Sequence, residues 1–341
     1  MVEPVRRTNH PWMAGVVIAL IAGVYFYLLA KSDYPEPGNA LNYDLKKHRA
    51  KDQVETRYAE VGDIAVDVAG PMALAIGGDG TVYVAGEEEI VAYDTDGTAK
   101  TRMKVGGVPV CLAALDGDLL VGVREKLGGG AYKNYVQVLD ASGAVKATWD
   151  DVGPSGLLTS IAVSENDVFV ADMGNRIVYR YDLNGKLLNE IGRKNPAKDI
   201  KGLIAPSPYL DLAVNDEGTL WVVNPGELGL ESYRSNGDLI TSWFKPSMDL
   251  DGFSGCCNPS HIAFNSVGKL ITLEKGLGRV KKYEVTMGEF EELVAGSDLF
   301  PAVHSIKDLA VDAQDRILLL DPQRNAVRIF EQKDENDERT T

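Results

Sequence analysis

Asp211, His261 and Asp308 stand 50 and 47 residues apart, each one position before an apolar residue that opens a β-like run. A carboxylate, an imidazole and a carboxylate brought to one opening could hold one divalent metal ion, or supply a base and the group that orients it. The plainer role for Asp-Leu-Ala-Val is a strand start whose carboxylate accepts from neighbouring backbone N–H groups. Just before His261 runs Gly252-Phe-Ser-Gly-Cys256-Cys257-Asn258-Pro259-Ser260. Adjacent cysteines have Cα atoms only ~3.8 Å apart, so a bond between them is strained and comparatively reducible. Cys256 and Cys257 are therefore open to three roles: a vicinal disulfide forming a rigid apolar platform, two thiols filling a tight loop, or a soft-metal site shared with His261. Glu274, Lys275 and Arg279 follow in Glu-Lys-Gly-Leu-Gly-Arg. They offer charge to a polar ligand, or a Glu-to-Arg bridge within their own turn.

Groups so far apart in sequence converge only if a repeated element carries them. Beyond residue 60 such a repeat exists: an apolar segment, a Gly or Asn/Asp turn, a β-rich segment, a polar turn, a strand ending in an aromatic, then a Gly turn and a fourth strand. Residues 159–192 show it whole, as TSIAVSENDVFVADMGNRIVYRYDLNGKLLNEIG. The first-strand anchors Leu74, Leu112, Ile161, Leu212, Ile262 and Leu309 are 38, 49, 51, 50 and 47 residues apart. Six units near the ~40 to 50 residues of a four-stranded blade predict an all-β, six-bladed β-propeller. Its channel-side positions, one before each anchor, are Ala73, Cys111, Ser160, Asp211, His261 and Asp308. Cys111, opposite blade five in such a ring, reads as a small core residue. The sixth unit has three strands before it dissolves into charge. The β-like stretch from Arg57 to Val66 is the expected fourth, since closure removes an open sheet edge.

Asp172-Met-Gly-Asn175-Arg176 with Val178 and Tyr181, and Asp321-Pro-Gln-Arg324-Asn325 with Val327 and Phe330, resemble the turn of the NHL-repeat β-propellers. The likeness covers about 270 residues, and blades one and two depart from it, with Gly86-Glu-Glu-Glu89 and a long insertion at the same turn. The Gly-Cys-Cys-Asn-Pro segment is similar to a motif of a bacterial, membrane-anchored subgroup of that family. The resemblance implies the fold; for function it implies only a range, because the family includes scaffolds, lyases and relatives of lactonases.

Trp12 to Ala30 is a run of 19 residues without a charge, long enough as a helix to cross the ~30 Å hydrocarbon layer. Its aromatic exit, without a small-residue cleavage site, predicts an uncleaved signal anchor, and Arg6 and Arg7 favour a cytoplasmic N-terminus. The chain is thus expected to divide into a cytoplasmic segment 1–11, a transmembrane helix 12–30, a charged linker 31–55, the propeller 56–333 and an acidic tail 334–341. The propeller is expected on the extracytoplasmic, periplasmic side of the cell membrane.

The formal charge of −15 leaves no basic face for a nucleic acid. The three cysteines contain no Cys-x-x-Cys pair, haem motif or iron–sulfur spacing. With only His261 and His304 in the propeller, a multi-histidine zinc centre is poorly provided. The residues favour a membrane-tethered module that binds an extracytoplasmic protein partner or a small ligand. The alternative is a metal-dependent lyase or hydrolase with its site at the channel mouth.

Overall fold

The computed structural model describes residues 49, 51, 52, 54–300 and 306–333. Among them twenty-four strands form six four-stranded antiparallel sheets. Blades one to five run in sequence order through residues 73–103, 108–148, 158–191, 212–244 and 261–295. The innermost strands form a closed ring in which Asp308–Val311 of blade six neighbours Ala73–Ile76 of blade one. All six anchors lie on these innermost strands, paired with Val84, Val121, Val170, Val222, Thr272 and Leu319.

The second and third strands of each blade are covered on both faces, so they read as near-continuous apolar runs such as Val82–Ala85 and Ile317–Asp321. Outer strands are mostly exposed: in Leu187–Ile191 only Ile191 is buried. Six apolar clusters fill the spaces between neighbouring blades, one at each junction including that of blades six and one. The turn before Leu187 needs glycine. Gly185 has φ +83°, and a Cβ there would stand 2.3 Å from the Trp149 indole.

Blade six closes as the chain ends predict. Tyr58–Ala65 pairs antiparallel with Ala326–Gln332, interrupted by a bulge between Glu60 and Gly62. Glu60 reaches from this strand to the fully buried Arg328, accepting at 2.9 and 2.7 Å.

One boundary differs from expectation. The charged stretch assigned to the linker joins the propeller at its end: Asp52 is buried, accepting from Arg279 Nε at 2.8 Å and from the Ser297 hydroxyl. A dense charge pattern reads as solvated when its cationic partner lies more than two hundred residues away. Residues 1–48, including the run from Trp12 to Ala30, and the tail 334–341 lie outside the described residues. Among those described, no helix is long and apolar enough to cross a membrane.

Candidate functional site

The innermost strands surround a channel cavity of about 490 Å³ whose lining includes Cys111, Ser160, Tyr209, Asp211, His261, Lys307 and Asp308. The carboxylates first serve the ring itself. Asp211 of blade four accepts from Ile262 N of blade five at 2.7 Å, and Asp308 of blade six accepts from Leu74 N of blade one at 2.7 Å. The Ser160 hydroxyl does the same for Leu212 N at 3.3 Å. These side chains stitch one blade to the next across the channel wall, the plainer of the two roles expected for Asp-Leu-Ala-Val.

Burial pushes the Asp308 carboxyl up to about 8, with the Asp211 charge adding to it. Asp211 is pushed up to about 6 by burial, against which the Ser160 hydroxyl and the N–H groups of Ile262 and Leu212 pull down. His261 is pushed down to about 4 by burial and then by the nearby Lys307 charge. Its Nδ1 lies 3.2 Å from Ser260 Oγ, and its ring meets Tyr209 edge to face at 6.2 Å.

These shifts predict a specific pH dependence. A carboxyl whose folded pKa is raised keeps its proton after the unfolded chain has lost it, so its contribution to stability is complete below about pH 4 and disappears as pH rises through the folded value. Between about pH 6.5 and 8 the Asp211 equilibrium is largely finished and Asp308 still titrates, opposed by a smaller gain as His261 of the unfolded chain, with its ordinary value of 6.5, loses its proton. Unfolding free energy from urea titrations is expected to fall by roughly 1 to 2 kcal/mol across that window. Asp308→Asn, which can still accept from Leu74 N, should flatten the slope. An unchanged slope in the variant would assign it elsewhere.

Among the described residues no three His, Cys, Asp or Glu side chains come together as a metal-ligating group. Asp211, His261 and Asp308 line one channel without converging as a ligand set; His304 lies outside the described residues. The cysteine pair stands as two free thiols rather than a bridge, Cys256 exposed and Cys257 buried. Burial raises the Cys257 thiol, while the Ser207 hydroxyl and the Lys275 charge oppose that shift. Cys111 is buried between blades two and three, as its small size suggests.

Of the two roles expected for Glu274 and Arg279, the bridge within their own turn holds and the ligand-facing one does not: both side chains are fully buried. Arg279 lies 3.6 Å from Glu274 and pairs with Asp52 at 2.8 Å, and Lys281 Nζ lies 3.2 Å from Glu274 Oε2. This four-charge network holds the cysteine loop from beneath. Glu274 Oε1 accepts from Ser254 N at 2.9 Å and from its hydroxyl, and Lys281 donates to Gly252 O. Asn258 completes the seat, donating to Ser254 O and Lys275 O while its Oδ1 accepts from Lys275 N.

Lys275 does face the mouth. Its ammonium stands 4.1 Å from the Tyr209 ring centroid and 3.5 Å from Ser207 Oγ. Ser207, Tyr209 and Lys307 escape a search for chemical motifs. The first two arrive because residues 195–210 pack Ile200, Leu203, Ala205 and Leu210 between blades three and four, which directs the end of the loop over the channel. Lys307 was within reach: aligning one position earlier on every blade gives Met72, Val110, Ser160's neighbour Thr159, Leu210, Ser260 and Lys307, with one charge among six.

No family model and no curated protein matches the chain. Solved structures do. A streptogramin B lyase is similar at TM-score 0.53 and 13% identity, covering 80% of this chain and 97% of the other. The WD40 β-propeller domain of Doa1 is similar at TM-score 0.54 and 16% identity, covering 77% and 79%. A structural-genomics protein from Bacteroides thetaiotaomicron is similar at TM-score 0.57 and 14% identity, covering 80% and 71%. At such identities, and with neighbours of such different description, the likeness establishes a β-propeller and leaves ligand and reaction to the residues themselves.

Proposed function

We propose that this chain is an NHL-type propeller acting as a binding module, held in a membrane by residues 12–30 with the propeller on the extracytoplasmic side. Its ligand or partner engages the channel mouth beside blades four to six. The observation that carries this reading is the asymmetry of that mouth. Blades one to three contribute apolar residues such as Met72 and Val110 with Cys111, Thr159 and Ser160 and no charge, whereas blades four to six contribute Tyr209, Asp211, His261, Lys307 and Asp308 around a cavity of ligand size. The Asp172–Asn175 contact, at 2.7 Å within the blade-three turn, supports the NHL assignment.

The metal-dependent lyase or hydrolase reading receives no ligand set from the described residues, and a binding module needs none. Native mass spectrometry of the full chain, extracted from its own membrane in detergent, tests the proposal. The expected spectrum carries an additional bound species that is lost in a His261→Ala variant of unchanged fold. An apo mass for both proteins overturns the binding role. Recovery of the intact chain in the soluble fraction without detergent overturns the tether.

A further inference from the structure

Two features of the channel mouth have opposite polarity and lie at different depths. At the rim, Lys275 and Lys307 have no carboxylate within ion-pair distance among the described residues. Lys307 is exposed and lines the cavity; Lys275 lies on Tyr209, which also lines it. Inside, Asp308 and Asp211 face the same cavity, and no described cation pairs with either. Asp308 accepts one backbone N–H on each oxygen, from Leu309 and Leu74 at 2.7 Å, which leaves each oxygen a further lone pair. The Tyr209 ring, carried by the loop that enters blade four, meets the His261 ring, which shares the register of the two carboxyls, edge to face.

A purely anionic ligand held by the rim would place its charge above two carboxyl groups. A purely cationic one held by the throat would pass and then sit beneath two ammonium groups. One arrangement satisfies both layers. Building on the binding role proposed above, we propose that the mouth takes a small zwitterionic molecule, its anionic group on Lys275 and Lys307 and its ammonium group on Asp308 and Asp211. The spacer between the two charges passes the Tyr209 ring. Charge complementarity of this kind selects against either half alone, because each half leaves one layer unpaired and meets repulsion from the other.

The test is calorimetric titration at about pH 8.5, where Asp308 is ionised and lysine and alkylammonium groups keep their charge, of the full chain in detergent with ω-amino acids from glycine to 6-aminohexanoate, each beside the alkanoate and the alkylamine of matching length. One length of the ω-amino acid is expected to bind at least about tenfold more tightly than both of its single-charge counterparts, since each added charge-assisted contact is worth roughly that factor. Lys307→Gln, a change at an exposed side chain, should weaken the zwitterion about tenfold and leave the alkylamine unchanged. An alkanoate or alkylamine that binds as tightly as the zwitterion overturns the proposal. If no probe binds while native mass spectrometry finds a bound species of other chemistry, the ligand class is wrong and the binding role stands. If no probe binds and the native mass is that of the bare chain, both fall.

Discussion

A chain beginning at Pro71 is expected to lose the cooperative thermal transition of a chain beginning at Lys51, and to sediment as aggregate rather than monomer. Three losses combine. Tyr58 and Ile64, both buried, leave their clusters at about 1.5 to 3 kcal/mol each. Arg279, fully buried, is left without the buried Asp52, and removing one partner of a buried ion pair costs about 3 to 5 kcal/mol; Arg328 loses the part-exposed Glu60 and keeps Asp321. The total reaches the 5 to 15 kcal/mol by which domains are ordinarily stable. The third strand of blade six, Ala326–Gln332, also becomes an open edge, available for pairing between molecules. Equal melting temperatures and equal monomer fractions for the two chains would show that the ring does not depend on its N-terminal strand.

Glu274→Ala is expected to be the most damaging single change near the mouth, lowering unfolding free energy by about 3 to 5 kcal/mol. Without this carboxylate, Lys281 loses its carboxylate partner and Arg279 keeps Asp52 in a region from which water is excluded, and Ser254 N and Oγ lose their acceptor. Because Ser254 and Gly252 seat the cysteine loop, the change should also raise the rate at which Cys257 is alkylated under native conditions. The Cys256 rate should stay nearly constant, since that thiol is already exposed. Two readouts separate the effects: the denaturant midpoint reports the buried charges, and the labelling ratio reports the loop. A shifted midpoint with an unchanged ratio would mean that the loop is held by Asn258 and its own backbone instead.

The architecture was legible because a propeller writes itself as a period. Every first-strand anchor, from Leu74 to Leu309, lies where the spacing predicts, and the stretch near Tyr58 completes blade six because three strands at one end and one at the other leave little else. The mouth was half legible. Asp211, His261 and Asp308 line the channel because they share a register, and a register can be counted. For Glu274 and Arg279 the mutual bridge was legible and the burial was not, because ionic residues in a Gly-rich turn look solvated unless the compensating charges are known. Here those charges are Lys281, on the neighbouring strand, and Asp52, 227 positions away from Arg279. Tyr209 and Ser207 depend on how a long loop packs between two blades, which no local pattern encodes.

The closing strand has a consequence for the order of events during synthesis. Tyr58–Ala65 emerges before any other blade strand, and its partner Ala326–Gln332 emerges last, so the first strand made is the last to be paired. For that whole interval it must not recruit a wrong neighbour. Its composition suits the delay: between the buried ends Tyr58 and Ile64, the residues Glu60, Val61, Gly62 and Asp63 are exposed even in the finished ring, and the bulge at Glu60 and Gly62 breaks the regular spacing that a foreign strand would need. Since every apolar cluster lies between two blades, none can be completed by one blade alone. The nascent propeller is therefore an incomplete arc until the final residues arrive, and its termini meet as the ends of a clasp.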